Sequence, residues 1–377
     1  MIYKDFQGLK LSALGMGTMR FPTVNGNRSE IDQTAVEEMV AYAMKKGVNY
    51  YDTAWGYHDG QAELAIGKAL KKYPRESFCL ADKFPGYDVK NIERVEEIFE
   101  KQLEKCQVEY FDFYLVHCVT DGNVDNYVDP KYKVREYLFE QKRNGRIRHL
   151  GFSLHGSVQT MEKIMDYYGE MIEFCQIQLN WLDWDLQDAK SAVERLREYG
   201  LPIWVMEPVR GGSLAKVDPF YENKLKEMRP NASTVEWAFR FLQSFPDVVV
   251  TLSGMSDMSQ LQQNIATFES EQPTTGQENT TLFAVAKSMT EKQTLPCTSC
   301  RYCTTYCPME LNIPTLIELY NEHIYSGGVA TGLNAIDELP DDKKPSACVG
   351  CRACEAVCPQ AIKISEMMPK FMERLTK

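Results

Sequence analysis

From residue 1 to about 270 the chain alternates short apolar runs with amphipathic stretches at intervals of roughly thirty residues, the beat of repeated βα units. Eight apolar runs read as buried strands: Ala13–Met19, Asn49–Thr53, Phe78–Lys83, Phe111–His117, Arg148–Ser153, Glu173–Leu179, Pro202–Glu207 and Val248–Leu252. Between them, Gln33–Lys46, Asn91–Lys105, Leu186–Tyr199 and Ser233–Ser244 carry apolar residues three and four apart, which predicts helices. Gly47 and Gly200 stand just past two of these, where a left-handed cap belongs. Met1–Leu14 reads as a two-strand hairpin around Gly8. Eight strands separated by helices predict a (β/α)8 TIM barrel.

The polar stretch Glu269–Thr281, with Pro273 and Gly276, interrupts the beat. A barrel over residues 1–275 and a smaller domain over 276–377 are therefore expected, joined by a helix at Leu282–Lys292. Ile313–Glu322 and Ala330–Leu339 read as further helices in the smaller domain.

Composition narrows the function. The 377 residues include 42 basic and 53 acidic ones, a net charge of −11, and no block of Lys and Arg suited to nucleic acid. No apolar run has the length of a membrane span, and the N-terminus lacks a charged segment followed by an apolar one, so a cytoplasmic protein is expected. A reducing compartment also keeps thiols free for metal.

Eight of the twelve cysteines form two copies of one pattern, C-x2-C-x2-C-x3-C-P: Cys297, Cys300, Cys303, Cys307 and Pro308, then Cys348, Cys351, Cys354, Cys358 and Pro359. Two-residue spacers wrap a chain around one corner of a cubane cluster, which needs four soft thiolates. Tetrahedral zinc is the alternative, but it does not need the x3-C-P ending twice. The segment resembles dicluster ferredoxin domains, in their more helical form. That resemblance implies two [4Fe-4S] clusters with interleaved ligands, Cys297, Cys300 and Cys303 with Cys358, and Cys348, Cys351 and Cys354 with Cys307. The fold class is then α/β, a TIM barrel with a small, largely helical C-terminal ferredoxin-like iron-sulfur domain. Cys79, Cys106, Cys118 and Cys175 lie in apolar contexts and read as inert thiols.

Catalytic groups of TIM barrels come from the C-terminal ends of several strands. Asp52, Lys83 and His117 end three successive apolar runs, 31 and 34 positions apart, so each is one βα unit from the next. Tyr57 follows in the first loop. A lysine ammonium lowers the pKa of a nearby phenol, a carboxylate keeps that lysine charged, and an imidazole donates to a carbonyl oxygen as charge develops there. The segments DTAWGY, ADK and LVH resemble the active-site segments of the aldo-keto reductase family. The resemblance implies Tyr57 as general acid, Lys83 as its charged neighbour, Asp52 as the carboxylate holding Lys83, and His117 as the residue orienting a substrate carbonyl.

The same resemblance implies a nicotinamide site, NAD(P)(H), from Gly17, Thr18, Ser153, Leu154 and Gln176, with Met206 where the family places a stacking aromatic. Gln263 and Asn264 fall at adenine-binding positions, and Arg210 in VRGG is a candidate for the phosphates. Leu154 replaces the family's asparagine, and no Lys or Arg stands where a 2′-phosphate is held, so NAD, NADP and a flavin remain alternatives. Trp55, Tyr127 and Trp181 are candidate pocket aromatics.

Hydride chemistry moves electrons in pairs, whereas a cluster moves them singly. The sequence therefore predicts an oxidoreductase acting on a small-molecule carbonyl or alcohol, with electrons relayed through the clusters to an external redox protein such as a ferredoxin or flavodoxin. Two alternatives stand beside it: a reductase with structural or oxygen-sensing clusters, and an electron-transfer subunit whose barrel is a docking scaffold.

Overall fold

The computed structural model describes residues 1–290, 294–325, 336 and 339–375. The predicted helix Ala330–Leu339 falls almost wholly outside the described residues. Two compact units are present, one of Met1–Pro208 with Asn231–Asn279, the other of Val209–Pro230 with the stretch from Thr280 onward.

The first unit begins with a hairpin of β1 (Tyr3–Phe6) and β2 (Leu9–Ser12). Gln7 and Gly8 are both left-handed, φ 47° and 86°, the pair of positive φ values that lets two-residue turns follow strand twist. A closed parallel barrel follows: β3 (Leu14–Gly17), β4 (Tyr50–Asp52), β5 (Cys79–Phe84), β6 (Phe111–Val119), β7 (Ile147–Leu154), β8 (Phe174–Gln178), β9 (Ile203–Met206) and β10 (Val248–Gly254), with β10 pairing β3. All eight predicted strands are present within two residues at either end.

The predicted helices form with adjusted ends, for physical reasons the chain states. Asp32 accepts from the Ala35 N–H to start Gln33–Lys45, and Gly47, at φ 89°, turns the chain out of it. The stretch Asn91–Lys105 divides into Val89–Ile92 and Val95–Cys106. The helix expected from Leu282 instead starts at Gly276 and runs to Thr290.

The hairpin plugs one end of the barrel. Phe6 and Leu11 join a buried cluster with Tyr50, Phe113, Phe174, Trp204 and Val250, Phe6 meeting Trp204 edge-on at 5.0 Å between ring centres. The other end, where β3 to β10 finish, is left for the site.

The second unit has its own core of Leu311, Ile313, Leu316, Ile317, Ile362, Ile364, Met367 and Phe371, packed around Cys303 and Cys354. Its two cysteine motifs repeat one backbone course. Arg301 and Arg352 are left-handed at φ 66° and 63°, each opening a one-turn helix, Tyr302–Thr305 and Ala353–Ala356.

Candidate active site and iron-sulfur centre

Parallel register brings the ends of the barrel strands together. Asp52 lies opposite Gly17 on β3 and Ala81 on β5, and Lys83 opposite Leu115 on β6. Side-chain alternation along β5 turns Lys83 and Asp82 to opposite faces of the barrel wall. Lys83, fully buried, donates to Asp52 Oδ1 at 2.5 Å and to the Thr53 carbonyl at 2.7 Å. Its Nζ stands 5.3 Å from the centre of the Tyr57 ring, and that ring meets His117 edge-on at 6.1 Å. Asp52, Tyr57, Lys83 and His117 thus form one buried group.

The phenol behaves differently from the sequence expectation. Burial, with the Asp52 charge second, holds Tyr57 well above the usual tyrosine pKa. The Lys83 ammonium is engaged by Asp52 and Thr53, so desolvation outweighs it at the phenol. Burial, then the Lys83 charge, keeps His117 well below its usual pKa and therefore neutral. Burial also raises the Asp52 carboxyl, against the pull of Lys83. A neutral phenol and a neutral imidazole are both O–H or N–H donors toward a carbonyl oxygen.

Behind the site, a buried network pins β5. Asp82 Oδ1 accepts from the Lys83 backbone N–H at 2.8 Å, and Gln102 Nε2 donates to the Lys83 carbonyl at 3.0 Å. The Tyr114 hydroxyl donates to Gln102 Oε1 at 2.5 Å, and Lys105 pairs with Glu63 at 2.7 Å. Burial and the Glu63 charge hold the Asp82 carboxyl well above the carboxylate range. Gln102→Leu would orphan the Tyr114 hydroxyl and the Lys83 carbonyl in a dry site. We expect about 1–3 kcal/mol of lost stability per orphaned group, read as a lower midpoint in urea.

The predicted cofactor residues divide between the two units. Ser153 Oγ accepts from the Cys118 N–H at 2.7 Å and pairs in register with Gln176, whose Nε2 reaches Met206 Sδ at 3.4 Å. Gln176 Oε1 is buried with no hydrogen-bond partner among the described residues. Thr18 Oγ1 donates to Thr53 Oγ1 at 2.9 Å. Gly17 lies against Ser253, which accepts from Asn264 Nδ2 at 3.1 Å. Leu154 is buried, whereas Gln263 is exposed and bonds Ser259 on its own helix. Arg210 belongs to the second unit, with Cys297 and Thr298.

Several residues at the mouth escaped the sequence reading. Tyr87 meets His117 edge-on at 5.2 Å, beside the already named Tyr127, whose hydroxyl donates to the His117 carbonyl at 2.5 Å. His155, one past Leu154, has a ring nitrogen without a partner among the described residues, and burial lowers its pKa to about 4. The Arg20 stem lies on Gly254 at the end of β10. The aromatics singled out in sequence mostly pack: Tyr127 and Trp181 are buried, and Trp55 lies 4.1 Å under the Lys105 ammonium.

In the second unit the eight motif cysteines form no disulfide among the described residues and fall into two sets. Cys297, Cys300, Cys303 and Cys358 line one cavity, and Cys307, Cys348, Cys351 and Cys354 line another. This is the interleaved grouping that the ferredoxin resemblance implies. Backbone N–H groups of Ser299 and Leu311 point to Cys297 and Cys307 sulfurs at 3.4 Å, a contact that suits thiolates. Four cysteines lining one cavity are the donor set a cubane needs, since its corners are ligated from outside.

The aldo/keto reductase family model matches residues 13–282, which is most of the chain. The chain belongs to the aldo/keto reductase family. A 4Fe-4S dicluster domain model matches residues 296–363 of the chain. Among curated proteins it is 29% identical over 218 residues to "Probable aldo-keto reductase 1" of Glycine max, covering 55% of this chain and 58% of the relative. It is 25% identical to L-galactose dehydrogenase of Arabidopsis thaliana, over 69% of this chain and 85% of that one. The NADH-specific methylglyoxal reductase of Escherichia coli is 26% identical, over 55% and 66%. The chain thus spans less than two thirds of the soybean relative's length. The holo form of an aldo-keto reductase from Bacillus halodurans superposes with a TM-score of 0.59 at 25% identity, over 74% of this chain and 94% of that one. A Klebsiella pneumoniae aldo-keto reductase solved with NADPH gives 0.59 at 20% identity, over 76% and 96%, and shares the fold.

Proposed function

We propose that this oxidoreductase interconverts a small carbonyl compound and its alcohol in the barrel, using NAD(P)(H), and that two [4Fe-4S] clusters connect the protein to an external one-electron carrier. The carrying observation is the buried assembly of Lys83 on Asp52 with Tyr57 and His117 beside it. Relatives named as a dehydrogenase and an NADH-specific reductase support the reaction class.

The residues present suit a nicotinamide. Gln176 Oε1, buried without a partner, is an acceptor suited to a carboxamide N–H, and the Ser153 hydroxyl still has a hydrogen to donate. Gly17, Thr18, Leu154 and Met206 would form the walls of that site, and Asn264, with Gln263, its adenine end. Arg20, at the end of β10, is the better candidate than Arg210 for a dinucleotide phosphate, because it belongs to the barrel unit. When bound, the nicotinamide supplies or accepts the hydride. Tyr57 then delivers its proton to the carbonyl oxygen, while the His117 imidazole donates a hydrogen bond to that oxygen. Lys83, fixed by Asp52, offsets negative charge as the phenol gives up its proton.

Cys297, Cys300, Cys303 and Cys358 would hold one cluster, and Cys307, Cys348, Cys351 and Cys354 the other, each supplying one electron at a time. Anaerobic holoprotein supplied with NAD(P)H and an aldehyde panel tests both halves. The expected result is alcohol formed with nucleotide oxidised, the nucleotide exceeding the alcohol by up to about one equivalent per chain as its two electrons reduce the two clusters, one each, and change their visible absorption. Turnover with clusters that never change redox state would refute the relay and leave the reductase.

A further inference from the structure

The two cluster motifs follow the same course, so their equivalent residues can be compared one by one. Ser299 and Gly350 are left-handed at φ 53° and 68°, as are Arg301 and Arg352 at 66° and 63°, and Glu310 and Ala361 at 51° and 50°. Cys303 and Cys354 are each 7% exposed. Each cluster therefore has its own arginine next to its second cysteine, and this pair leaves the two equal. The symmetry breaks one residue after the first cysteine. Thr298 is 3% exposed, whereas its counterpart Val349 is 62% exposed.

What covers Thr298 is a segment from far away in the sequence. Arg210, Gly211 and Gly212 are three consecutive left-handed residues, φ 49°, 65° and 98°, in the part of the second unit that follows β9 in the chain. Gly211 lies directly on Thr298: a β-carbon there would come within 2.2 Å of the Thr298 carbonyl oxygen and 2.8 Å of its carbonyl carbon. Only glycine fits, both for the close approach and for the φ. The Ser213 hydroxyl closes the turn by donating to the Arg210 carbonyl at 2.7 Å. Arg210, the residue before Gly211 in that turn, is itself 7% exposed.

We propose that Arg210–Gly212 is a strap that makes the two clusters inequivalent, its buried guanidinium raising the reduction potential of the cluster held by Cys297, Cys300, Cys303 and Cys358. Reduction adds one negative charge to a cluster, and a nearby buried cation favours the reduced form more than a solvated one does. The second cluster has no strap among the described residues, and Cys351 beside Val349 is exposed. The strapped cluster is then the electron sink of the pair, and the open one is the edge that a soluble one-electron carrier can reach. This rests on the two-cluster part of the proposed function and not on the carbonyl chemistry.

The test is a redox titration of anaerobic holoprotein, followed by electron paramagnetic resonance, on the native chain, Arg210→Gln and Arg210→Lys, with iron measured in each. In Arg210→Gln one couple should move to more negative potential by about tenfold in its oxidised-to-reduced ratio, about 59 mV for one electron, with the other unmoved. Arg210→Lys should retain most of the native value. Gly211→Ala provides a second arm: iron should fall from about eight toward about four per chain while the barrel's far-UV circular dichroism persists. Loss of one cluster in Arg210→Gln would support the strap equally. The idea is overturned if both couples stay in place, if both move together, if Lys behaves as Gln, or if Gly211→Ala keeps all its iron at native potentials. A native chain without iron would instead refute the two-cluster reading itself.

Discussion

Replacing Tyr57 with Phe is expected to lower kcat for carbonyl reduction by about 10²–10⁴-fold, the range for removing a positioned general acid. The ring's edge contact with His117 at 6.1 Å and its place 5.3 Å from Lys83 do not depend on the hydroxyl, so the pocket keeps its shape. The loss should therefore appear equally in kcat and kcat/KM, as for an interaction made in the transition state, with nucleotide affinity retained. The pH profile gives an independent check. Burial raises the Tyr57 pKa and lowers that of His117, so through the neutral range Tyr57 stays a phenol and His117 a neutral imidazole, each with one hydrogen to donate. Reduction by the native chain should then be flat in kcat/KM from about pH 6 to 9. A variant within about tenfold of native kcat would show that another group protonates the product.

The barrel and its site were legible in sequence because both follow from period. Strands buried on two faces leave continuous apolar runs, and the polar residue ending each run marks the mouth, as Asp52 and His117 do. The cysteine grouping came only through the ferredoxin resemblance, since spacing alone does not say that the fourth thiol of each motif joins the other set. Residues defined by a partner distant in the chain were not legible. Tyr127 reads as a pocket aromatic until its hydroxyl is seen on the His117 carbonyl, and Asp82 as a strand charge until it meets Glu63. The assignment of Val209–Pro230 to the second unit had one faint signal, two successive glycines after Arg210. Paired glycines announce positive φ or a close approach, but not what approaches, which here is Thr298. The phenol pKa failed differently: spacing gives the neighbours of Tyr57 but not its burial, and burial is the larger effect.

Lys83→Met should be the most destabilising single change in the barrel wall. It removes the ammonium from a pair with side chains 0% and 4% exposed and leaves Asp52 buried, with Oδ2 already lacking a partner among the described residues. Breaking such a pair costs about 3–5 kcal/mol, because the remaining charge is neither hydrated nor balanced. The loss has a pH signature with a definite sign. Burial already raises the folded-state pKa of Asp52, and without Lys83 nothing of opposite charge pulls it back. A group with a raised folded pKa contributes stability below its unfolded value, about 3.9 for Asp, and loses it as pH rises through the folded value. The penalty should therefore be full at pH 8 and shrink steadily on acidification, measured as the urea midpoint of variant against native chain. Asp52→Asn added to Lys83→Met should recover a large part of the stability, since an amide carries no charge to desolvate, yet restore none of the turnover. Recovery of both together would mean that the pair serves only the fold, and that the proton delivered to the carbonyl oxygen does not depend on a cation beside Tyr57.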